Sequence, residues 1–242
     1  MIRPCTYAGA LKAVSLGICL FIQGVFFAAD SGAGSYPAKG EDITGIIGKM
    51  KAAYAQIEDY QMETEVKVYH EGQVIETKRF LYTFRKPDHI RIDMKSPYAG
   101  MVLVYPAEND KVAVKPGGLF GFMKLRLSPD SALLRTDAGQ RIDQTDLGLL
   151  IKNIDHSLTD KRRGEVRITG QDGQVRIEVL AEDHFLDGVL TLYHFFIDKT
   201  RWLPVEVREF NPDGILKREV RFLNLRTSIG VSESFFRING GN

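Results

Sequence analysis

Two hydrophobic periods alternate along this chain, and their order predicts most of its elements. Ile43, Ile46, Ile47, Met50, Tyr54 and Ile57 recur at i, i+3, i+4, i+7, i+11 and i+14, one apolar stripe at helical spacing. Glu41 and Asp42 stand at its start, where negative charge suits the helix dipole. The period then becomes two. Tyr60, Met62, Thr64, Val66 and Val68 alternate with Gln61, Glu63, Glu65 and Lys67, as in a half-buried strand. After the turn His70-Glu71-Gly72-Gln73, Phe80, Tyr82 and Phe84 share one face, opposite Arg79, Leu81, Thr83 and Arg85. Lys86-Pro87-Asp88 breaks that run, because proline cannot donate to a strand ladder.

Ile90, Ile92 and Met94 make the next apolar face, alternating with Arg91 and Asp93. Met101 to Tyr105 is apolar on both faces, which predicts a central strand covered on each side. Val112 and Val114 precede Pro116-Gly117-Gly118 and a glycine-loosened apolar patch, Leu119-Phe120-Gly121-Phe122-Met123, read as a lip over a cavity. Leu125 and Leu127 continue as a strand. Helical spacing returns around Asp146 to Leu158, with Leu147, Leu150, Ile151, Ile154 and Leu158 on one face. The remainder alternates again: Val166 and Ile168; Val175, Ile177 and Val179; Leu190 to Ile197; Leu203 to Phe210; Ile215 to Leu225; and a short terminal strand, Phe235 to Ile238. Asn211-Pro212-Asp213-Gly214 is a turn with a mechanism, since Pro212 presets φ and Gly214 accepts a left-handed conformation. Ten or eleven strands joined by short turns, with two principal helices, predict an α+β protein built on one antiparallel sheet. A sheet that wide must curl, and the helices then cover its concave face.

The ends change the picture. Met1 to Lys12 carries Arg3 and Lys12 without an acid, Ala13 to Phe27 is an apolar run, and small residues follow from Ala28 to Ser35. This predicts a secretory signal peptide over residues 1–29, with cleavage as late as residue 33; an uncleaved anchor is the alternative. Residues 30–40 read as a flexible leader and 41–242 as a single domain. Cys5 and Cys19 both fall in the signal, so a mature chain has no disulfide, thiolate site or cysteine nucleophile. Ile18 before Cys19 stands where a lipoprotein signal requires a small residue, so the product is expected to be soluble in the periplasm. The chain carries 32 Lys+Arg against 31 Asp+Glu, which gives no support for nucleic-acid binding.

Chemistry is sparse. No nucleophile elbow, zinc-protease helix, Walker loop or dinucleotide fingerprint occurs. Glu182-Asp183-His184 with Asp187 gathers metal-ligand types but reads as a solvated turn, since no second cluster supports it. No cofactor, metal or catalytic residue is expected. Phe80, Tyr82, Phe84, Tyr193, Phe195, Phe196 and Trp202 come from strands remote in sequence; they belong either to an ordinary core or to a ligand cavity.

The order of the N-terminal amphipathic helix, Phe84-Arg85-Lys86-Pro87-Asp88-His89-Ile90-Arg91-Ile92, the strand Met101 to Tyr105, and Asp198-Lys199-Thr200-Arg201-Trp202-Leu203-Pro204-Val205 before Asn211-Pro212-Asp213-Gly214 resembles the outer-membrane lipoprotein carrier superfamily. These are the LolA/LolB-like proteins, which also include the regulator MucB. The resemblance implies an incomplete, half-open β-barrel of about eleven strands, with helices covering a hydrophobic cavity for acyl chains. The cavity is expected to draw on Phe80, Tyr82, Phe84, Ile90, Ile92, Met94, Leu103, Phe122, Tyr193, Phe195 and Trp202. Ile46, Ile47 and Met50, with Leu150, Ile151 and Ile154, are the expected lid, and Arg91 its tether. The expected function is a non-enzymatic periplasmic carrier that binds acyl chains of lipids or lipoproteins and passes them to an acceptor in the outer membrane; the first alternative is a lipid-sensing module that binds a membrane protein, and the second an envelope hydrolase. The expected partners are acyl chains, inner- and outer-membrane proteins and, transiently, a membrane, with the protein a monomer.

Overall fold

The structure is a computed structural model that describes residues 36–37, 42–136, 139–160, 163–171 and 173–238. The expected signal peptide lies outside them. Among the described residues twelve strands make one antiparallel sheet: β1 (Tyr36–Pro37), β2 (Asp59–His70), β3 (Gln73–Arg85), β4 (His89–Ser96), β5 (Val102–Tyr105), β6 (Val112–Lys115), β7 (Leu125–Leu127), β8 (Val166–Gln171), β9 (Gln174–Glu182), β10 (Leu190–Asp198), β11 (Leu203–Phe210) and β12 (Leu216–Thr227). The order is β1-β8-β9-β10-β11-β12-β2-β3-β4-β5-β6-β7. Neighbours are therefore consecutive in sequence except where β12 closes onto β2 and β1 onto β8. Among the described residues β1 and β7 do not pair, so the sheet stays open.

The alternating patterns hold because one face is buried and the other wet. Burial in β9 and β10 switches at every residue, with Val175, Ile177, Val179, Tyr193, Phe195 and Ile197 inside. The outer face carries charge: Glu65 pairs with Arg79, Arg221 with Glu219, and Arg208 with Glu206. At the β2–β3 turn Glu71 and Gly72 both take positive φ, 50° and 77°, the mirror-image turn that fits the strand twist.

Helices α1 (Ile43–Ala55) and α2 (Leu147–Thr159) lie side by side on the concave face. Asp42 caps α1 by accepting from Gly45 N at 2.6 Å. Asp146 caps α2, accepting from Gly148 N at 2.7 Å and Leu149 N at 3.1 Å, and also accepts from the Tyr54 hydroxyl of α1 at 3.0 Å. Tyr60 Oη takes a further α2 amide, that of Leu147, at 2.9 Å. Lys51 and Asp155 bridge the helices at 2.7 Å. Among the described residues no helix is long and apolar enough to cross a membrane.

Three expectations need correction. The stripe overruns its helix: α1 ends at Ala55, and Ile57 reaches the core from the link to β2. The β8 edge has a backbone partner where Tyr36 and Pro37 pair with Gly170 and Thr169. β5 is not central; only two strands separate it from the open edge, and Val104 alone in it is fully buried. The terminal strand is a 3-10 turn, Glu233–Phe236. It lies against the outer face of β4, with the Phe236 ring 5.4 Å from that of His89. The Asp59 carboxylate fixes the approach by accepting from the amides of Ile229, Gly230 and Val231.

Candidate functional site

Register sorts the concave face into rows that run across the strands. The first row is Tyr60–Phe84–Ile90–Tyr105, and the next is Met62–Tyr82–Ile92–Leu103. Then come Phe222–Thr64–Phe80–Met94 and Val207–Val220–Val66–Lys78. The last is Glu209–Arg218–Val68. α1 and α2 roof the first row, and Phe84 stacks on Tyr60 with ring centroids 5.2 Å apart. The other rows form the wall of a cavity of about 460 Å³.

The opposite wall is not a helix. It is mainly the irregular strap between β7 and α2, Leu133 to Thr136 and Gln140 to Asp146, joined by Leu150 and Asn153 of α2 and His184-Phe185 from the β9–β10 loop. The strap holds its shape through polar ties. Arg141 grips Asp143 with two bonds, 2.9 and 2.6 Å, and reaches Asp130 at 2.7 Å. The Thr145 hydroxyl donates to Ile142 O at 2.6 Å, so the Tyr82 hydroxyl, 3.0 Å away, donates to Thr145. Tyr82 thus joins the strap to the sheet floor. Burial raises its pKa, as it does that of Tyr60, so both hydroxyls stay neutral.

One wall is not wholly apolar. Glu209 and Arg218 face each other at 2.6 Å, their side chains almost fully enclosed. Burial alone would lower the affinity of Arg218 for its proton, and the Glu209 carboxylate beside it more than restores it. Next to them His184 stacks on Tyr193 at 4.4 Å, and its Nε2 lies 2.7 Å from the Ser157 hydroxyl of α2. Burial pulls its pKa down to about 4. Ser157 is enclosed and does not line the cavity, and the nearby Asp183 carboxylate is taken up by the amides of Phe185 and Leu186 and the Thr191 hydroxyl. The Ser157–His184 contact is a tie between α2 and the β9–β10 loop.

The expected cavity residues divide by row. Phe80, Tyr82, Ile92, Met94 and Leu103 line the cavity. Phe84 and Ile90 sit one row too far under α1, and Tyr193 and Phe195 are sealed in the core, so these four build the roofed end instead. Trp202 lies beneath Lys49 Nζ, 4.0 Å from its ring. Phe122 points away into solvent. Of the expected lid, Leu150 alone reaches the cavity; Ile46, Ile47, Met50, Ile151 and Ile154 are committed to the core. Arg91 is no tether for either helix. It faces outward beside Val104, bonds Asp93 through Nε and Nη2 at 2.9 Å each, and donates to Phe235 O at 2.9 Å. The strap and the Glu209–Arg218 pair escaped the sequence reading. The pair had left a signal, because Glu209 continues the alternation of Val207, and Arg218 that of Val220 and Phe222. Among the described residues no cluster of three or more metal-ligand side chains occurs.

Fold and cavity together define an open antiparallel half-barrel, two helices plugging one end, with a mostly apolar cavity under a polar strap. No protein-family model and no curated protein matches the chain. Among solved structures it is similar to an uncharacterized conserved protein from Thermus thermophilus, at 9% identity and a TM-score of 0.47, over 81% of this chain and 93% of the other. It is also similar to a LolA superfamily protein from Nitrosomonas europaea, at 9% identity and a TM-score of 0.38, over 81% of this chain and 97% of the other. The Pseudomonas aeruginosa MucA/MucB complex gives 14% identity and a TM-score of 0.39, over 80% of this chain and 60% of the other. Likeness this distant describes shape and says nothing of ligand or partner.

Proposed function

We propose that this chain is a non-enzymatic carrier, exported to the periplasm, that holds an acyl chain of a lipid or lipoprotein in the cavity and passes it to an acceptor at the outer membrane. The observation that carries this reading is the cavity wall. Thr64 apart, three successive rows of the sheet offer apolar side chains, or in Tyr82 and Lys78 the apolar part of a polar one, to about 460 Å³ of space instead of to a partner element. A methylene group takes about the volume of a water molecule in the liquid, about 30 Å³, so roughly fifteen would fit. At about 0.8 kcal/mol each, they would bind with on the order of 12 kcal/mol before any ordering cost.

Cargo held that firmly leaves only if something competes for the same surface or the cover opens. The strap suits that role, because its ties are ion pairs and hydrogen bonds that water can replace. Native mass spectrometry of protein from a periplasmic extract tests the reading, with an acyl lipid expected on the folded chain. Ile92→Asp is expected to abolish loading while the protein still unfolds cooperatively near the parent temperature; unchanged loading would sink the proposal. A regulatory module with the same cavity would load equally well. Transfer of the load to acceptor vesicles separates the two.

A further inference from the structure

The β6–β7 connection carries the most exposed apolar cluster on the molecule's described surface. Leu119 is 90% exposed, Phe122 82% and Phe120 61%, with Met123 and Leu125 also uncovered. Leaving three such side chains in water is unfavourable by the area they expose, and a contiguous patch of this kind marks a contact surface. The backbone presents them deliberately. A 3-10 turn, Gly118–Phe120, closes with Gly121 N donating to Gly118 O at 3.1 Å and Met123 N to Phe120 O at 2.9 Å, so the rings are held outward on a compact loop.

Charge around the loop says what it meets. Lys115 and Lys124 stand at the root of the tip, and farther down the same hairpin come Lys111 and Arg126 with Glu108 and Asp110, Arg126 paired to Glu108 at 2.9 Å. Apolar side chains at a tip with cations behind them match the layering of an anionic bilayer, whose phosphates lie just above its acyl region. A protein partner would be expected to meet a flatter patch with a polar rim.

The tip is also placed with respect to the cavity. Gly117, at its root, packs so closely on the β4–β5 turn that a Cβ there would stand 2.3 Å from Ala99 O. Tyr98 and Met101 of that same turn line the cavity. We infer that the Leu119–Phe122 tip is a membrane-insertion loop that seats the rim of the cavity on an anionic phospholipid bilayer, so that an acyl chain crosses between bilayer and cavity without passing through water. The purpose rests on the carrier reading; the insertion itself does not.

The test places the reporter in the tip, because residues 13–27 form an apolar run that could hold the full chain on vesicles by itself. In Phe122→Trp, emission is expected to shift to the blue on adding vesicles of phosphatidylcholine and phosphatidylglycerol, less with phosphatidylcholine alone, and to revert in high salt. Emission unchanged by any vesicle overturns the proposal. A shift equal on neutral and anionic vesicles overturns the charge part of it. Leu119→Ser/Phe120→Ser/Phe122→Ser, all at exposed positions, is expected to slow transfer of a bound fluorescent fatty acid to anionic vesicles about tenfold, with its binding in solution unchanged. Unaltered transfer overturns the docking role. A tip that inserts in a protein that binds no fatty acid would instead sink the carrier reading and leave the insertion standing.

Discussion

Phe84 and Ile92 look equivalent as residues: both are apolar, both alternate with charge, and both face inward. One row separates their fates. Phe84 is closed off beneath α1 against Tyr60, whereas Ile92 borders the cavity. Truncation of Phe84 to Ala is therefore expected to cost about 3–5 kcal/mol of stability, read as a lowered denaturation midpoint with an unchanged slope. A charge at Phe84 would unfold the protein, so it is Ile92→Asp that isolates loading. His184 supplies a second residue-scale test. Its pKa falls from an ordinary 6.5 to about 4 because burial disfavours the imidazolium, with Asp183 opposing and His156 and Arg218 assisting. The unfolded chain takes up this proton near pH 6.5, and the folded one only near pH 4. Stability from the neutral imidazole is thus complete above pH 6.5, declines as pH falls toward 4, and changes no further below it; the loss is at most about 3 kcal/mol. Urea titrations across that range should show the decline, and His184→Gln should flatten it.

Among the elements, the strap and the helices exchange the roles that periodicity suggests. An apolar stripe marks a helix that needs covering, and α1 and α2 satisfy theirs against the first row of the sheet and each other, leaving little to swing open. The strap, Leu133 to Thr136 and Gln140 to Asp146, has no period to read, yet it closes the cavity through Arg141, Asp143, Asp130 and the Tyr82–Thr145 bond. Removing the Arg141 guanidinium in Arg141→Met is expected to speed release of a bound fluorescent fatty acid severalfold while shifting thermal stability by about 1 kcal/mol or less, since the ion pairs are partly exposed. Stopped-flow displacement checks this; an unchanged release rate with a large loss of stability would make the strap a structural prop.

For the whole molecule, one continuous sheet with strongly unequal cover sets the pattern of local opening. β9 and β10 have their inner residues sealed and β11 is sealed at its start, where Leu203 is buried, while β6 and β7 are short and end the sheet at an edge that no further strand pairs among the described residues. Amide hydrogen exchange should be slowest in β9 to β11 and in the middle of β2, and fastest through β6, β7 and the tip between them. Comparable protection in β7 and β10 would mean that something else guards that edge.

Periodicity alone, then, determined where almost every strand and both helices lie, which face of each is apolar, and that the connections make the sheet antiparallel. Local rules suffice for these because side-chain direction repeats within a segment and turns are encoded in a few residues such as Glu71-Gly72 and Asn211 to Gly214. Which apolar residues meet a neighbour and which meet a cavity was decided by tertiary structure. Phe84 and Phe80 carry the same local signal, and only the reach of α1 across the curved sheet separates them. The same holds for Arg91, which alternation puts on the outer face beside Asp93 and to which the returning C-terminal turn adds Phe235 O as a further partner, and for Phe122, which burial would have claimed had its loop folded inward.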